Sequence, residues 1–265
     1  MTDHRLHPLA DLMRRYAFAY TACHDFDACR QIMVDDYVLR MGAHLLRGRE
    51  DAYIPATVRQ YRQFPGLGFT VHDFVMNGDR CALRFSEHGR SVLRGTEAVW
   101  HGISLYRWDG NALLECRVEQ DYFARRRQLD SGQVDPLTPP HVDPWAPPPQ
   151  PPDPRIEAVA KAWLFAGGLA DPGVLFDDEP WAQPCRAALQ VERIDIQDLF
   201  SAGSRVAFHT ALHGRYIGGL SLPETCAGRP AVLWVAGVAE VEEDRVVSGR
   251  VVSDRLGLQR RLGCA

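Results

Sequence analysis

The stretch "LLECRVEQDYFARRRQL", residues 113–129, returns near the other end of the chain as "VVSGRVVSDRLGLQRRL", residues 246–262. Laid over one another at an offset of 133 residues (254 − 121), they share Arg117 with Arg250, Val118 with Val251, Asp121 with Asp254 and Leu129 with Leu262. A second pair, "RCALRFSEHGR" (80–90) and "RVAFHTALHGR" (205–215), shares Arg, Ala, His, Gly and Arg at an offset of 125 (205 − 80). Two segments that recur in the same order in each half mark a duplicated domain, since solenoid repeats run only about 20 to 50 residues.

Between the copies lies "DSGQVDPLTPPHVDPWAPPPQPPDP", residues 130–154, which holds most of the prolines. So many fixed φ angles and missing donors exclude helix and sheet. The expected division is a complete domain over 1–130, a proline-rich linker over 131–154 and a reduced second domain over 155–265. Trp145 is expected to pin the linker onto a domain surface.

Composition limits what the chain can do. With 265 residues, 46% hydrophobic and 24% charged, and a formal net charge of −4, it reads as an ordinary globular protein with room for two cores. A nucleic-acid partner would call for clustered excess Lys and Arg, which are absent. No apolar run approaches the roughly 18 to 20 residues of a membrane span, and the first residues are too polar for a secretory signal, so a cytoplasmic protein without membrane contact is expected. The seven cysteines (Cys23, Cys29, Cys81, Cys116, Cys185, Cys226, Cys264) are scattered and form no C-x-x-C pair. They read as small buried hydrophobes rather than as disulfides or metal ligands.

Periodicity predicts helices over 8–23, 26–34 and 49–64, then strands over 69–78, 80–89, 97–108 and 112–123. The second half repeats this with a helix over 154–168 and strands over 191–200, 205–214, 231–241 and 245–256, without a match to the third helix. Its cavity is therefore expected to be small or unformed. Helices followed by antiparallel strands describe an α+β domain with helices closed over one face of a curved sheet.

The turn "WDGN" (108–111) centres on Asp109-Gly110, a pair favoured in two-residue hairpins. That register sets Gly102 across from Arg117 and places Arg117, Glu119 and Asp121 on one face with Trp100, Ser104 and Tyr106. Glu243-Asp244 at the second turn likewise sets Gly237 across from Arg250. A glycine there leaves room for a guanidinium to lie flat, and an Arg and an Asp four apart on a strand, about 13 Å, could hold a small molecule between them. One bulge in either strand would reverse the faces. The alternative is that Asp121 and Asp254 cap the turn after the sheet and the arginines lie solvated along an edge.

"HDFDACRQIMVDDYVLRMG", followed by "LRGREDAYIPATVRQYRQFPGLGFTVHDFVMNGDRCALRF", resembles the opening of the SnoaL-like polyketide cyclases, a branch of the nuclear-transport-factor-2-like superfamily. "SGRVVSDRLGLQRRLG" is similar to that family's closing strand and tail. The resemblance implies two tandem cone-shaped α+β barrels, helices packed on a curved, mainly antiparallel sheet. Members pair through their sheets, so it also implies an internal pseudo-dimer with Val99, Ile103, Leu105 and Val118 at its interface; a further homodimer is left open.

It implies, too, a cofactor-free and metal-free reaction on a small-molecule substrate, with the closing-strand aspartate as general acid and base. Carried over by position, that residue is Asp121 or Asp254. Arg117 and Arg250 stand where the family commonly has an aromatic residue, and would anchor an anion or an enolate oxygen. Trp100, Tyr16, Tyr20, Glu119, Ser104 and His88 complete the expected substrate site. His209 and His213, four apart, would suit a metal on a helix, but sit in a strand pattern. The expected activity is proton abstraction next to a carbonyl, as in a cyclase, isomerase or dehydratase of secondary metabolism. A noncatalytic binding or accessory module on the same fold is the alternative.

Overall fold

The computed structural model describes residues 6–180, 182 and 185–263; Cys264 lies outside them. The first half opens with α1 (Pro8–Arg15), started by Pro8 in its first turn and by the His7 ring, which accepts the Leu9 N–H at 3.3 Å. The helix widens into a π-helical segment over Tyr16–Ala22 and is followed by α2 (Phe26–Ile32), capped by Asp25. Strands β1 (Met33–Met41) and β2 (His44–Arg47) come next, then a second π-helical turn over Arg49–Tyr53 that runs into α3 (Ile54–Gln63). Four more strands, β3 (Gly68–Met76), β4 (Arg80–Arg90), β5 (Glu97–Trp108) and β6 (Leu113–Gln120), lead to the closing helix α4 (Tyr122–Ser131).

The second half is shorter: α5 (Pro154–Phe165), β7 (Val174–Phe176), β8 (Ala188–Ala202), β9 (Arg205–Gly218), β10 (Pro230–Glu242), β11 (Arg245–Ser253) and α6 (Arg255–Gly263). The sheets run in the orders β2-β1-β6-β5-β4-β3 and β7-β11-β10-β9-β8. All neighbours are antiparallel except β1–β6 and β7–β11. This is the expected pair of tandem α+β units, each with one sheet. No helix among the described residues is long and apolar enough to cross a membrane. Four of the six described cysteines are buried, and all six are free thiols.

Side chains alternate across each strand, so each sheet has two buried faces to fill. In the first unit Leu83, Phe85, Tyr106, Cys116 and Val118 face the helices and pack with Leu9, Leu12, Met13 and Tyr20. The opposite face meets the other sheet. There Val75, Ala82, Ile103 and Leu105 pack against Phe200, Ala202, Ala207, Ala236, Val238 and Val252. Ile103 and Leu105 take the interface role expected of them, whereas Val118 faces the first cavity and Val99 a surface cleft.

The contact between the sheets obeys a pseudo-twofold. Arg205 holds Asp73 (Nη1–Oδ1 2.8 Å), and Arg80 holds Asp198 in return, each residue standing 125 positions from its counterpart (205 − 80 and 198 − 73). Arg126 on α4 bonds Gln259 on α6, its own equivalent at the offset of 133 (259 − 126), as happens close to a twofold axis. The strap over 132–153 has no helix or strand and runs along the first sheet, with His141 N–H on Val71 O and Gln150 N–H on Met76 O. Trp145 is buried in it against Phe74 and Phe18.

Both hairpins depart from the expected register. At the first, Asp109 Oδ1 accepts the N–H groups of Asn111 and Ala112, both at 2.8 Å, which stretches the turn so that Trp108 pairs with Leu113. Leu114 then bulges. Arg117 therefore lies across from Leu105, and Gly102 across from Gln120. At the second, Glu242 pairs with Arg245 as expected, but Val247 bulges and sets Arg250 across from Val238. The shifts, three residues and one, are both odd, and an odd shift turns every side chain to the other face. Arg117 and Arg250 thus point between the sheets, away from the helices, and Glu119 reaches His209 of the second sheet from the edge of the first cavity.

The glycines do leave room, but for a ring. A Cβ on Gly102 would stand 2.3 Å from Phe85 Cζ, and one on Gly237 would stand 2.2 Å from Phe208 Cζ. Each phenylalanine is the glycine's partner on the neighbouring strand. Gly102→Ala and Gly237→Ala should each cost about 1–3 kcal/mol from overpacking, read as a lowered urea midpoint. An unchanged midpoint would mean that the rings can move aside freely.

Arg255 closes the assembly. Its side chain is 1% exposed and lies 2.6 Å from Asp121 Oδ2, 2.9 Å from Asp178 Oδ1 and 3.2 Å from Asp177 Oδ2. Replacing it by leucine would strand three buried carboxylates and should cost about 3–5 kcal/mol. The loss, measured by urea unfolding, should shrink as acid protonates the aspartates.

Candidate functional site

A cavity of about 720 Å³ lies between the helices and the first sheet. The two π-helical turns shape it: Tyr16 and Tyr20, four apart on the widened first turn, line one side, with Tyr53 from the second and Tyr61 from α3. Phe85, Tyr106, Cys116 and Val118 form the floor. Tyr16 packs edge-on against Tyr20 at 5.6 Å and Tyr106 at 5.5 Å, so the walls are interlocked aromatic rings.

At one end the lining becomes polar, with Gln60, Glu87, Gln120, Tyr122 and Arg125. Glu87 follows Leu83 and Phe85 on the inward face of β4 and is only 6% exposed. Its Oε2 accepts the Gln60 side-chain amide at 2.6 Å. Burial pushes its carboxyl up to about 7, against the opposing pull of Arg125, Gln60 and the Trp100 indole. A carboxyl poised at neutrality beside an apolar volume can take or give a proton.

The rim comes from the second unit: Asp254, Leu256, Gly257, Arg260 and Arg261 all line it. Asp254 caps α6 through the Gly257 N–H (2.9 Å) and pairs with Arg261 (3.1 Å). Glu119 also reaches the lining. Its Oε1 accepts the Gly42 N–H at 2.8 Å and lies 2.9 Å from His209 Nε2 of the second sheet. Burial raises its pKa, with Asp254 adding to the effect and His209 opposing it.

Of the residues expected from sequence, Tyr16, Tyr20, Glu119 and Asp254 are brought together at this cavity. Asp121 is not. It caps α4 through the Ala124 N–H and is sealed in the Arg255 cluster, its pKa raised mainly by burial. The capping alternative thus describes both aspartates. The arginines fit neither reading, because they are covered by the sheet interface rather than solvated or in a cavity. Arg117 pairs with Glu115 at 3.1 Å, and Arg250 donates to Asp177 O at 2.8 Å.

Trp100 is fully buried behind the wall, its indole N–H on Gln120 Oε1 at 2.9 Å. Ser104 is fully buried as well, and His88 borders a separate surface cleft with Val92, Val134 and Leu137. His209 and His213 pair separately with Glu119 and Asp195.

The second unit is not empty, contrary to expectation. It holds a cavity of about 730 Å³ lined by Leu164, Leu169, Phe176, Ile194, Leu212 and Leu233. Its charged lining residues are paired off, Arg186 with Glu179, Glu192 with Arg215 and Arg193 with Asp195. No counterpart of Glu87 lines it among the described residues.

Residues 13–115 match the profile of the SnoaL-like domain family. The first half carries a SnoaL-like domain. No curated protein matches the chain. Solved structures similar to it include a SnoaL-like polyketide cyclase from Jannaschia sp. CCS1, 15% identical, covering 49% of this chain and 99% of its own with a TM-score of 0.44. IdmH from Streptomyces antibioticus is 19% identical over 47% of this chain and 99% of its own, with a TM-score of 0.43. TsrD from Streptomyces laurentii is 22% identical over 46% of this chain and 94% of its own, with a TM-score of 0.42.

The Glu87 shift has a consequence for stability. Its pKa rises from 4.5 to about 7 on folding, so the fold favours the protonated form. The stabilisation is complete below the unfolded value and is lost as pH rises through about 7. Glu87→Gln removes this dependence. The melting temperature of the variant relative to the parent should therefore rise between mildly acidic and mildly alkaline buffer; a constant difference would return Glu87 to an ordinary carboxylate.

Proposed function

We propose that the first unit is a cofactor-free acid–base enzyme that moves a proton next to a carbonyl in a small, largely apolar metabolite, as a cyclase or isomerase does. The observation that carries this reading is Glu87, a buried carboxyl set in the wall of an aromatic cavity, with the Gln60 amide donating to Oε2 and the Trp100 indole beside it. The carboxyl borders the cavity, where a substrate C–H or O–H would lie against it. Tyr16, Tyr20 and Tyr61 would hold a flat substrate, and the Tyr16 hydroxyl, kept protonated by burial, would donate to an enolate oxygen, the hydroxyls of Tyr20 and Tyr61 being turned to Thr57 and Thr21. Glu87 takes the role that the sequence resemblance gave to Asp121, because Asp121 is committed to Arg255 and α4.

The second unit suits ligand binding without proton transfer, since its cavity is apolar and its charges are paired. In this reading it serves the first unit by supplying the rim.

Exchange of the α-protons of α-tetralone in D₂O, followed by proton NMR, tests the assignment. The parent protein should accelerate exchange, and Glu87→Gln should slow it by about 10²–10⁴-fold while keeping tetralone affinity. Equal exchange by the two proteins would overturn the reading.

A further inference from the structure

Arg125 projects from α4 into the polar end of the first cavity. Its guanidinium carbon lies 4.1 Å from the Tyr122 ring centroid, 5.0 Å from that of Trp100 and 5.5 Å from that of Phe64. Aromatic faces thus hold it flat, leaving the in-plane N–H groups for a partner. Several other arginines have that partner: Arg40 pairs with Glu115, Arg80 with Asp198, Arg127 with Asp178 and Arg255 with Asp121. Among the described residues the Arg125 guanidinium makes no ion pair or hydrogen bond, and none of its nitrogens is sealed from solvent.

Nearby carboxylates cannot fill the role. Glu87 acts on Arg125 electrostatically but is itself drawn toward its neutral form by burial. Asp254 is taken by Arg261, and Glu119 by Gly42 and His209. Arg260, exposed on the rim and close enough to disfavour the charge on Arg125, adds a second cation, and Arg59 a third. A half-buried cation without a counterion loses part of its hydration unrewarded, and an anion entering the cavity would relieve that cost.

We propose that the first cavity selects a carboxylate-bearing substrate, its apolar body against the tyrosines and its carboxylate on the in-plane N–H groups of Arg125, with Arg260 of the second unit drawing it in. The inference deepens the acid–base reading and rests on it for the site of reaction, but the anion site has its own test. It also gives the duplication a use, since a rim cation that draws the substrate in is built from the other copy.

The test compares 2-naphthoate with its neutral amide, 2-naphthamide, by calorimetric titration of the full chain at neutral pH and low salt. The naphthoate should bind roughly 10- to 100-fold more tightly, the range expected of charge-assisted hydrogen bonds. Arg125→Gln should erase the preference while changing naphthamide affinity by no more than about threefold, and Arg125→Lys should restore part of it. Arg260→Gln should weaken naphthoate alone by about threefold, an effect lost in added salt.

Equal binding of the two probes, binding of neither, or a preference that survives Arg125→Gln would overturn the anion site. If Arg125→Gln does not fold, the parent comparison and Arg125→Lys still decide. Glu87→Gln separates the two readings. It should keep the naphthoate preference even if it proves fully active in tetralone exchange, in which case only the acid–base assignment falls.

Discussion

One guanidinium carries the junction between the halves. Arg255 opens α6 and draws Asp121, Asp177 and Asp178 around it, so it joins the end of the first sheet to two segments of the second. With more negative than positive charge in a sealed space, the balance is tight: burial pushes Asp177 up to about 7, and the same carboxylates hold Arg255 firmly protonated. Such clusters add little or nothing to stability over an apolar packing, but an arrangement that separates the partners leaves buried charges unpaired and is penalised heavily. Their consequence here is positional. By fixing the start of α6, Arg255 places Asp254, Arg260 and Arg261 at the mouth of the other unit's cavity.

That placement explains how duplication has led to unequal halves. Asp121 and Asp254 are equivalents, and each caps the helix that follows it, yet one is sealed beneath Arg255 and the other borders a cavity. The difference comes from their cross-axis neighbours. Arg255 stands where its own equivalent, at the offset of 133 (255 − 122), is Tyr122. A tyrosine leaves the opposite aspartate uncovered, whereas an arginine buries it. The first cavity thereby acquires a buried acid, a stacked cation and a borrowed rim, while the second keeps an apolar volume whose charges are paired.

Much of the fold was legible because its signals are local. Alternation identified β3, β4, β5 and β6 and their counterparts, the proline run marked the strap, and helical spacing located α1, α2, α3 and α5. Missing were β1, β2 and β7, short or acid-interrupted strands that gain their hydrogen bonds from pairing far along the chain. Missing too were α4 and α6, whose runs of arginine show little amphipathic contrast and whose start is set by an aspartate cap. Glu87 had a readable signal: with β4 in period two, it shares the inward face of Leu83 and Phe85, and an acid on an apolar face is worth asking about.

The amino-acid order by itself determined the duplication, the two α+β units, the linker and the family resemblance, because repeats, periodicity and proline content survive any detail of packing. Only the tertiary structure decided which way the closing strands face. A single bulged residue, Val247 in one hairpin and Leu114 in the other, costs little locally yet reverses a whole strand, and it moved Arg117, Asp121 and Arg250 from an expected pocket to a buried interface. The charge state of a carboxyl is likewise settled by its surroundings. Glu87 acquires its affinity for a proton from the rings and the lost water around it, and neither is written in its neighbours along the chain.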